Sequence, residues 1–208
     1  MSEQPRYLDL PLRRFLEDTA AAQPTPGGGS VAALTAALAS ATGRMAANYT
    51  VGRKRFADVQ QEVSALQQRL ATAGQMLEQL VAEDMIAYRQ LQAVWRRDDA
   101  TPASQVDRSA ALVGAIAVPF EVVAVAGALL ADLDRLKDVA NPDLLSDVGV
   151  AAELAVAAAR SAALNVRINL NQLDNAAEAD SLRTQLSHQL EHVEDRYRSV
   201  STHVNQWI

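Results

Sequence analysis

Positions alternating three and four apart fall on one stripe of an α-helix, and stripes of this kind run through most of the chain. One passes through Leu66, Leu70, Ala73, Leu77, Leu80, Asp84, Ala87, Leu91 and Val94, and Asp84 is its one polar member. A second reads Val31, Leu34, Leu38, Ala41, Met45, Asn48. A third reads Val150, Leu154, Ala157, Ser161, Leu164, Ile168, with Asn165 and Asn169 a turn apart on its edge. Residues 23–29, 96–104 and 140–146 carry the prolines, glycines and charges that interrupt these patterns. The spacing predicts helices near residues 8–22, 30–50, 54–95, 104–133, 146–171 and 177–206. Alternating strand-type stretches are missing. The expected fold is all-α, an antiparallel multi-helix bundle of long helices in a single domain, residues 1–208.

Small residues crowd the second and fifth helices, among them Ala32, Ala33, Ala36, Ala37, Ala151, Ala152, Ala158 and Ala159, so neighbouring backbones can approach closely. Residues 110–131 are almost all apolar and long enough to span a bilayer. Glu121 beside Pro119 in the middle, and the lack of a flanking basic cluster, favour a core helix kinked at Pro119 over a membrane helix. A helix this apolar needs cover on several sides, part of it from a second copy. A homo-oligomer, at least a dimer, is therefore expected.

Charge narrows the partners. A formal net charge of -6 gives no long-range attraction for phosphates, and the basic run Arg53-Lys54-Arg55 is short, so nucleic acid is not an expected partner. The absence of cysteine removes disulfides, thiolate nucleophiles and cysteine zinc sites. The first residues, Met1-Ser2-Glu3-Gln4-Pro5-Arg6, lack the apolar run of a secretory signal, and a cytoplasmic location is expected.

Asp84 is the sharpest chemical candidate. Burial penalises an ionised carboxylate and pushes its pKa toward neutrality unless it is paired, which suits a general acid or base. The alternative is an ordinary ion pair with a neighbouring helix, or a solvated face shared with Glu83. Residues 24–30 (PTPGGGS) run into a helix with Ser30 placed to cap it. The three glycines, Gly27, Gly28 and Gly29, would let backbone N–H groups approach a ligand, though a plain turn fits equally well. Residues 141–147 read as a turn with Ser146 or Asp147 capping the next helix. Asn48, Asn165 and Asn169 offer paired donors and acceptors suited to a heterocycle, or to bonds between helices. His188-Gln189-Leu190-Glu191-His192 has the spacing of an inverted zinc-peptidase motif. Its acidic and basic neighbours Glu194, Asp195 and Arg196 suggest a solvated face instead, and no metal is expected.

Six blocks in order resemble the formiminotetrahydrofolate cyclodeaminase and methenyltetrahydrofolate cyclohydrolase family. They are residues 24–33 (PTPGGGSVAA), 45–56 (MAANYTVGRKRF), 83–88 (EDMIAY), 117–120 (AVPF), 141–152 (NPDLLSDVGVAA) and 165–170 (NVRINL). The resemblance implies an all-α bundle that associates as dimers or larger, with a folate cleft near the subunit interface, no cofactor beyond the tetrahydrofolate substrate, and catalytic Asp84. It implies substrate contacts from Gly27, Gly28, Gly29, Ser30, Asn48, Asp147, Asn165 and Asn169, with Arg53 and Lys54 toward the glutamate tail. The activity it implies is cyclodeamination of 5-formiminotetrahydrofolate to the 5,10-methenyl form. The alternatives are hydrolysis of that form to 10-formyltetrahydrofolate, or a folate-binding assembly protein without turnover. The segment Val94-Trp95-Arg96-Arg97-Asp98 departs from the family's Leu-Pro-Lys pattern, which bears on how the cleft rim is closed.

Overall fold

A computed structural model describes residues 7–97 and 101–207; Met1 to Arg6 and Asp98, the last residue of the departing segment, lie outside the described residues. Among the described residues six α-helices follow one another: α1 (Leu12–Ala20), α2 (Gly28–Asn48), α3 (Gln60–Trp95), α4 (Pro102–Val139), α5 (Leu145–Leu170) and α6 (Ala176–Trp207). Short 3-10 turns at Tyr7–Asp9, Lys54–Val59 and Pro142–Leu144 precede α1, α3 and α5. The expected helix over 54–95 thus begins as a 3-10 turn, with Phe56 off helical geometry. Pro11 separates the first turn from α1. The fourth helix runs six residues past its expected end because Leu133 and Leu136 continue its buried side.

Neighbouring long helices run mostly antiparallel, and their cross-links fix the direction. Arg69 and Arg135 meet Asp132 and Glu62, pinning α3 against α4. Arg160 and Tyr197 reach Glu194 and Glu153, pinning α5 against α6. Ser40 donates to the Leu70 carbonyl at 2.6 Å, and a β-carbon on Gly74 would lie 2.7 Å from that hydroxyl, so α2 and α3 touch nearly backbone to backbone.

The Leu66-to-Val94 stripe is the core seam of α3, with Leu66, Leu70, Leu77, Leu80, Leu91 and Val94 buried. The stripes of α2 and α5 face the other way. Ala32, Ala33, Ala36, Ala39, Ala46 and Ala47 fill the interior, as do Ala151, Ala155, Ala158 and Ala162. Leu38, Leu164 and Ile168 are 53%, 63% and 60% exposed. Spacing marks these stripes as faces for a partner helix, and within the chain their large members lie mostly outside. Alanine faces let α2 and α5 close on the large side chains of α3 and α4, and the leucines are left on one outer surface.

Pro119 sits inside an unbroken α4. By length and composition this helix is apolar enough to cross a membrane, yet half of its most apolar window is buried by the rest of the chain.

Candidate functional site

Asp84 projects from α3 onto the first turn of α2. The Ser30 hydroxyl donates to its Oδ2 at 2.7 Å, and the Ser30 backbone N–H donates to the same carboxylate. The α2 helix begins at Gly28, with extended Gly27 as its N-cap and no capping side chain from its own segment. Ser30 therefore does not cap α2 as expected. The helix starts earlier, and a carboxylate from another helix takes the N–H that a local cap would have satisfied.

Gly29 makes this approach possible. A β-carbon there would lie 1.9 Å from Asp84 Oδ1. One on Gly28 would make ordinary contact with the Asn165 amide, 3.5 Å from its Oδ1. The Asn165 Nδ2 donates to the Ser161 carbonyl at 3.0 Å, which fixes the side chain beside the same helix end. Burial raises the Asp84 pKa above the ordinary 3.8, while the two Ser30 hydrogen bonds pull it down. Burial wins. The group is a carboxylate poised to take up a proton.

The segment before α2 is held from α3 as well. Arg89 Nε and Nη2 reach the Thr25 hydroxyl at 2.9 and 2.6 Å, so α3 grips residues 25–30 at both ends. No sequence periodicity marks this pair. The link spans 64 positions and appears only when the loop lies across α3.

Asn169 has a structural partner. Its Nδ2 donates 2.8 Å to the Ala115 carbonyl, which lies four residues before Pro119. Proline has no N–H to offer that carbonyl, and Asn169 supplies the missing donor.

The other candidates gather at the opposite end of the bundle. Asn48 accepts from Gln67, and the Thr50 hydroxyl accepts from the Asn141 N–H at 2.8 Å. Arg53 and Lys54 are exposed, next to a turn in which Gly52 adopts φ +74. The α5 helix starts at Leu145 without a side-chain cap, so Ser146 and Asp147 sit inside its first turn instead of capping it. Asn141 Oδ1 instead accepts from Asp143 N at 3.3 Å. Eighteen residues of helix separate Ser30 from Asn48, about 27 Å at 1.5 Å per residue. Within one chain Asp84, Gly27, Gly28, Gly29, Ser30 and Asn165 are together, and Asn48, Arg53, Lys54 and Asp147 are not with them.

His188 is exposed, with Nδ1 3.7 Å from Glu191. Among the described residues no group of three or more His, Cys, Asp or Glu side chains is arranged to hold a metal ion.

Residues 11–188 match the family described as formiminotransferase-cyclodeaminase. A methenyltetrahydrofolate cyclohydrolase of Methylorubrum extorquens is 30% identical over 173 residues, covering 81% of this chain and 83% of that protein. A formimidoyltransferase-cyclodeaminase of Rattus norvegicus is 31% identical over 184 residues, 86% of this chain, which spans only 34% of that longer protein. Among solved structures, a formiminotetrahydrofolate cyclodeaminase from Thermotoga maritima superposes with a TM-score of 0.83 at 28% identity, covering 97% of this chain and 96% of that one.

Proposed function

This chain belongs to the formiminotransferase-cyclodeaminase family, and from that premise we propose that it is a folate one-carbon enzyme, a formiminotetrahydrofolate cyclodeaminase, with Asp84 as its proton carrier. The observation that carries this reading is the desolvated Asp84 carboxylate, held by Ser30 against a glycine-only helix end.

Cyclodeamination moves one proton between two nitrogens. N10 attacks the carbon of the protonated formimino group on N5, giving a tetrahedral aminal with a positive N10. Asp84 takes the N10 proton and returns it to the amino nitrogen. The carbon–nitrogen bond then breaks, ammonia leaves, and the 5,10-methenyl cation remains. Charge and protons balance with no cofactor. The raised pKa suits both halves of the transfer, since the carboxylate must accept and then release within one turnover. The N-terminus of α2 offsets the negative charge that Asp84 carries before it accepts the proton and after it releases it.

The relative from Methylorubrum supports a second reading, in which water adds to the methenyl carbon and the ring opens to the 10-formyl form. Asp84 would accept the proton of that water. Absorbance of 5,10-methenyltetrahydrofolate distinguishes the two: growth from the 5-formimino compound marks cyclodeamination, and decay marks hydrolysis. Neither change with wild type, or full activity in Asp84→Asn, would remove the catalytic assignment.

A second copy completes the site in this reading. Val31, Leu38, Met45, Val150, Leu164 and Ile168 form one exposed apolar face across α2 and α5. Asp147 and Asn48 continue its two stripes at the end far from Asp84. A two-fold axis lying in this face, across the helices, buries the leucines of both copies. It also lays Asn48, Arg53, Lys54 and Asp147 of one copy against Asp84 and Asn165 of the other.

A further inference from the structure

The Tyr7–Asp9 turn and α1 fold over the Asp84 end of α2 and α3. Tyr7 and Phe15 are buried, with their rings edge to face at 5.5 Å between centroids. The Tyr7 hydroxyl and Arg14 Nε both donate to Asp18 Oδ2, at 2.8 and 2.7 Å, which ties the turn to the helix. Beneath them, Tyr7, Leu10, Phe15, Leu34 and Val81 line an apolar cavity of ≈ 160 Å³. Leu34 follows Ser30 by one turn on α2, and Val81 precedes Asp84 by one turn on α3. Each step is about 5 Å along its helix. The two floor residues of the cavity therefore lie one helical turn from the hydrogen-bonded pair Ser30 and Asp84.

Its size decides what fits. An aliphatic cavity of about 150 Å³ holds one benzene-sized ring. A bicyclic pterin is too large for it. On the folate reading above, on which this step rests, the attacking N10 carries an aryl ring bonded directly to it. That ring must lie within a few ångströms of the proton carrier during the reaction. We propose that the cavity is the subsite for the p-aminobenzoyl ring of the substrate, with α1 and the Tyr7 turn as its roof and Leu34 and Val81 as its floor. Stacking the ring against Tyr7 and Phe15 fixes N10 in front of Asp84 and directs the pterin outward, past Ser30 and Asn165.

Fragment binding tests this on the whole protein by calorimetry, with p-aminobenzoylglutamate and 6-methyltetrahydropterin as separate probes. Leu34→Phe and Val81→Phe fill the floor. Each is expected to weaken p-aminobenzoylglutamate at least about tenfold, the order of magnitude by which an apolar pocket discriminates against a poorly fitting group, while tetrahydropterin binding holds within about twofold. Leu34→Ala only removes bulk and keeps the fold. It is expected to reverse the ring-size preference, binding the larger aminonaphthoylglutamate better than p-aminobenzoylglutamate. Unchanged p-aminobenzoylglutamate binding in a folded Phe variant, or an unchanged ring-size preference in Leu34→Ala, would overturn the subsite alone. If wild type bound neither probe, the folate reading would fall and the subsite with it.

Discussion

A β-carbon on Gly29 would fall 1.9 Å from Oδ1 of Asp84 and 2.6 Å from its carboxyl carbon, whereas one on Gly28 would meet nothing closer than the Asn165 amide at 3.5 Å. Two adjacent glycines thus differ in what they permit. Gly29→Ala must drive the carboxylate away from Ser30, but alanine is a better helix former than glycine, so α2 itself survives. The expected result is a folded protein with kcat/KM reduced at least about 100-fold, the low end for losing a placed acid–base group. Gly28→Ala is expected to stay near wild type. Parallel assays and melting curves on the two variants check this, and equal losses in both would remove the special role of Gly29.

The Ser30 hydroxyl donates to the ionised form of Asp84 and so lowers a pKa that burial raises. Removing it in Ser30→Ala leaves burial less opposed. The acid limb of the kcat/KM profile, where Asp84 must be ionised to accept the N10 proton, is expected to move to higher pH. A limb that stayed in place or moved to lower pH would assign the titration to another group.

Stability should respond in the opposite sense to activity at Asp84. Its folded pKa lies above the unfolded value, so the folded state binds the proton more tightly. The stability linked to that proton is full below about the ordinary 3.8 and is lost as pH rises through the raised folded value. Asp84→Asn carries no such loss. Its melting temperature is expected to equal or slightly exceed that of wild type at low pH, with a margin that widens with pH to on the order of 1–3 °C. A margin that narrowed with rising pH would contradict the sign.

Much of this was legible in the sequence, for identifiable reasons. The α3 stripe and its single carboxylate follow from spacing alone, because large leucines on one helix face must be covered. The α2 and α5 stripes were legible as apolar, but not in which direction they face. Alanine-lined helices pack by close approach, and the side chains that spacing marks as a seam lie outside. Arg89 and Thr25 join elements far apart in the chain, so no local pattern signals them, and spacing marks Asn169 for a bond between helices without pointing to the Ala115 carbonyl.

Asn169 and Pro119 should be thermodynamically coupled. Asn169→Leu leaves the buried-side Ala115 carbonyl without its donor, at about 1–3 kcal/mol. In a Pro119→Ala background the alanine N–H reaches that carbonyl, and the same replacement becomes milder. Urea unfolding of the four proteins of this cycle is expected to give a coupling on the order of 1 kcal/mol. Additive effects would mean that the asparagine bond does not answer the proline.

Subunit complementation tests the proposed dimer and its arrangement directly, because it depends on which end of one copy meets which end of the other. If the site joins Asp84 of one copy to Asn48 and Arg53 of its partner, then Asp84→Asn and the double variant Asn48→Ala/Arg53→Ala are each inactive as homodimers. A hybrid dimer holds one site carrying all the damage and one fully native site. Random reassortment makes half of the dimers hybrid, so the mixture is expected to recover about a quarter of wild-type activity. Leu38→Glu places a charge on the exposed α2 stripe, and in either parent it should give monomers by sedimentation and abolish the recovery. A two-fold axis along the helices would instead pair like ends. Each hybrid site would then hold either Asp84 or the basic group, never both, and mixing would restore nothing.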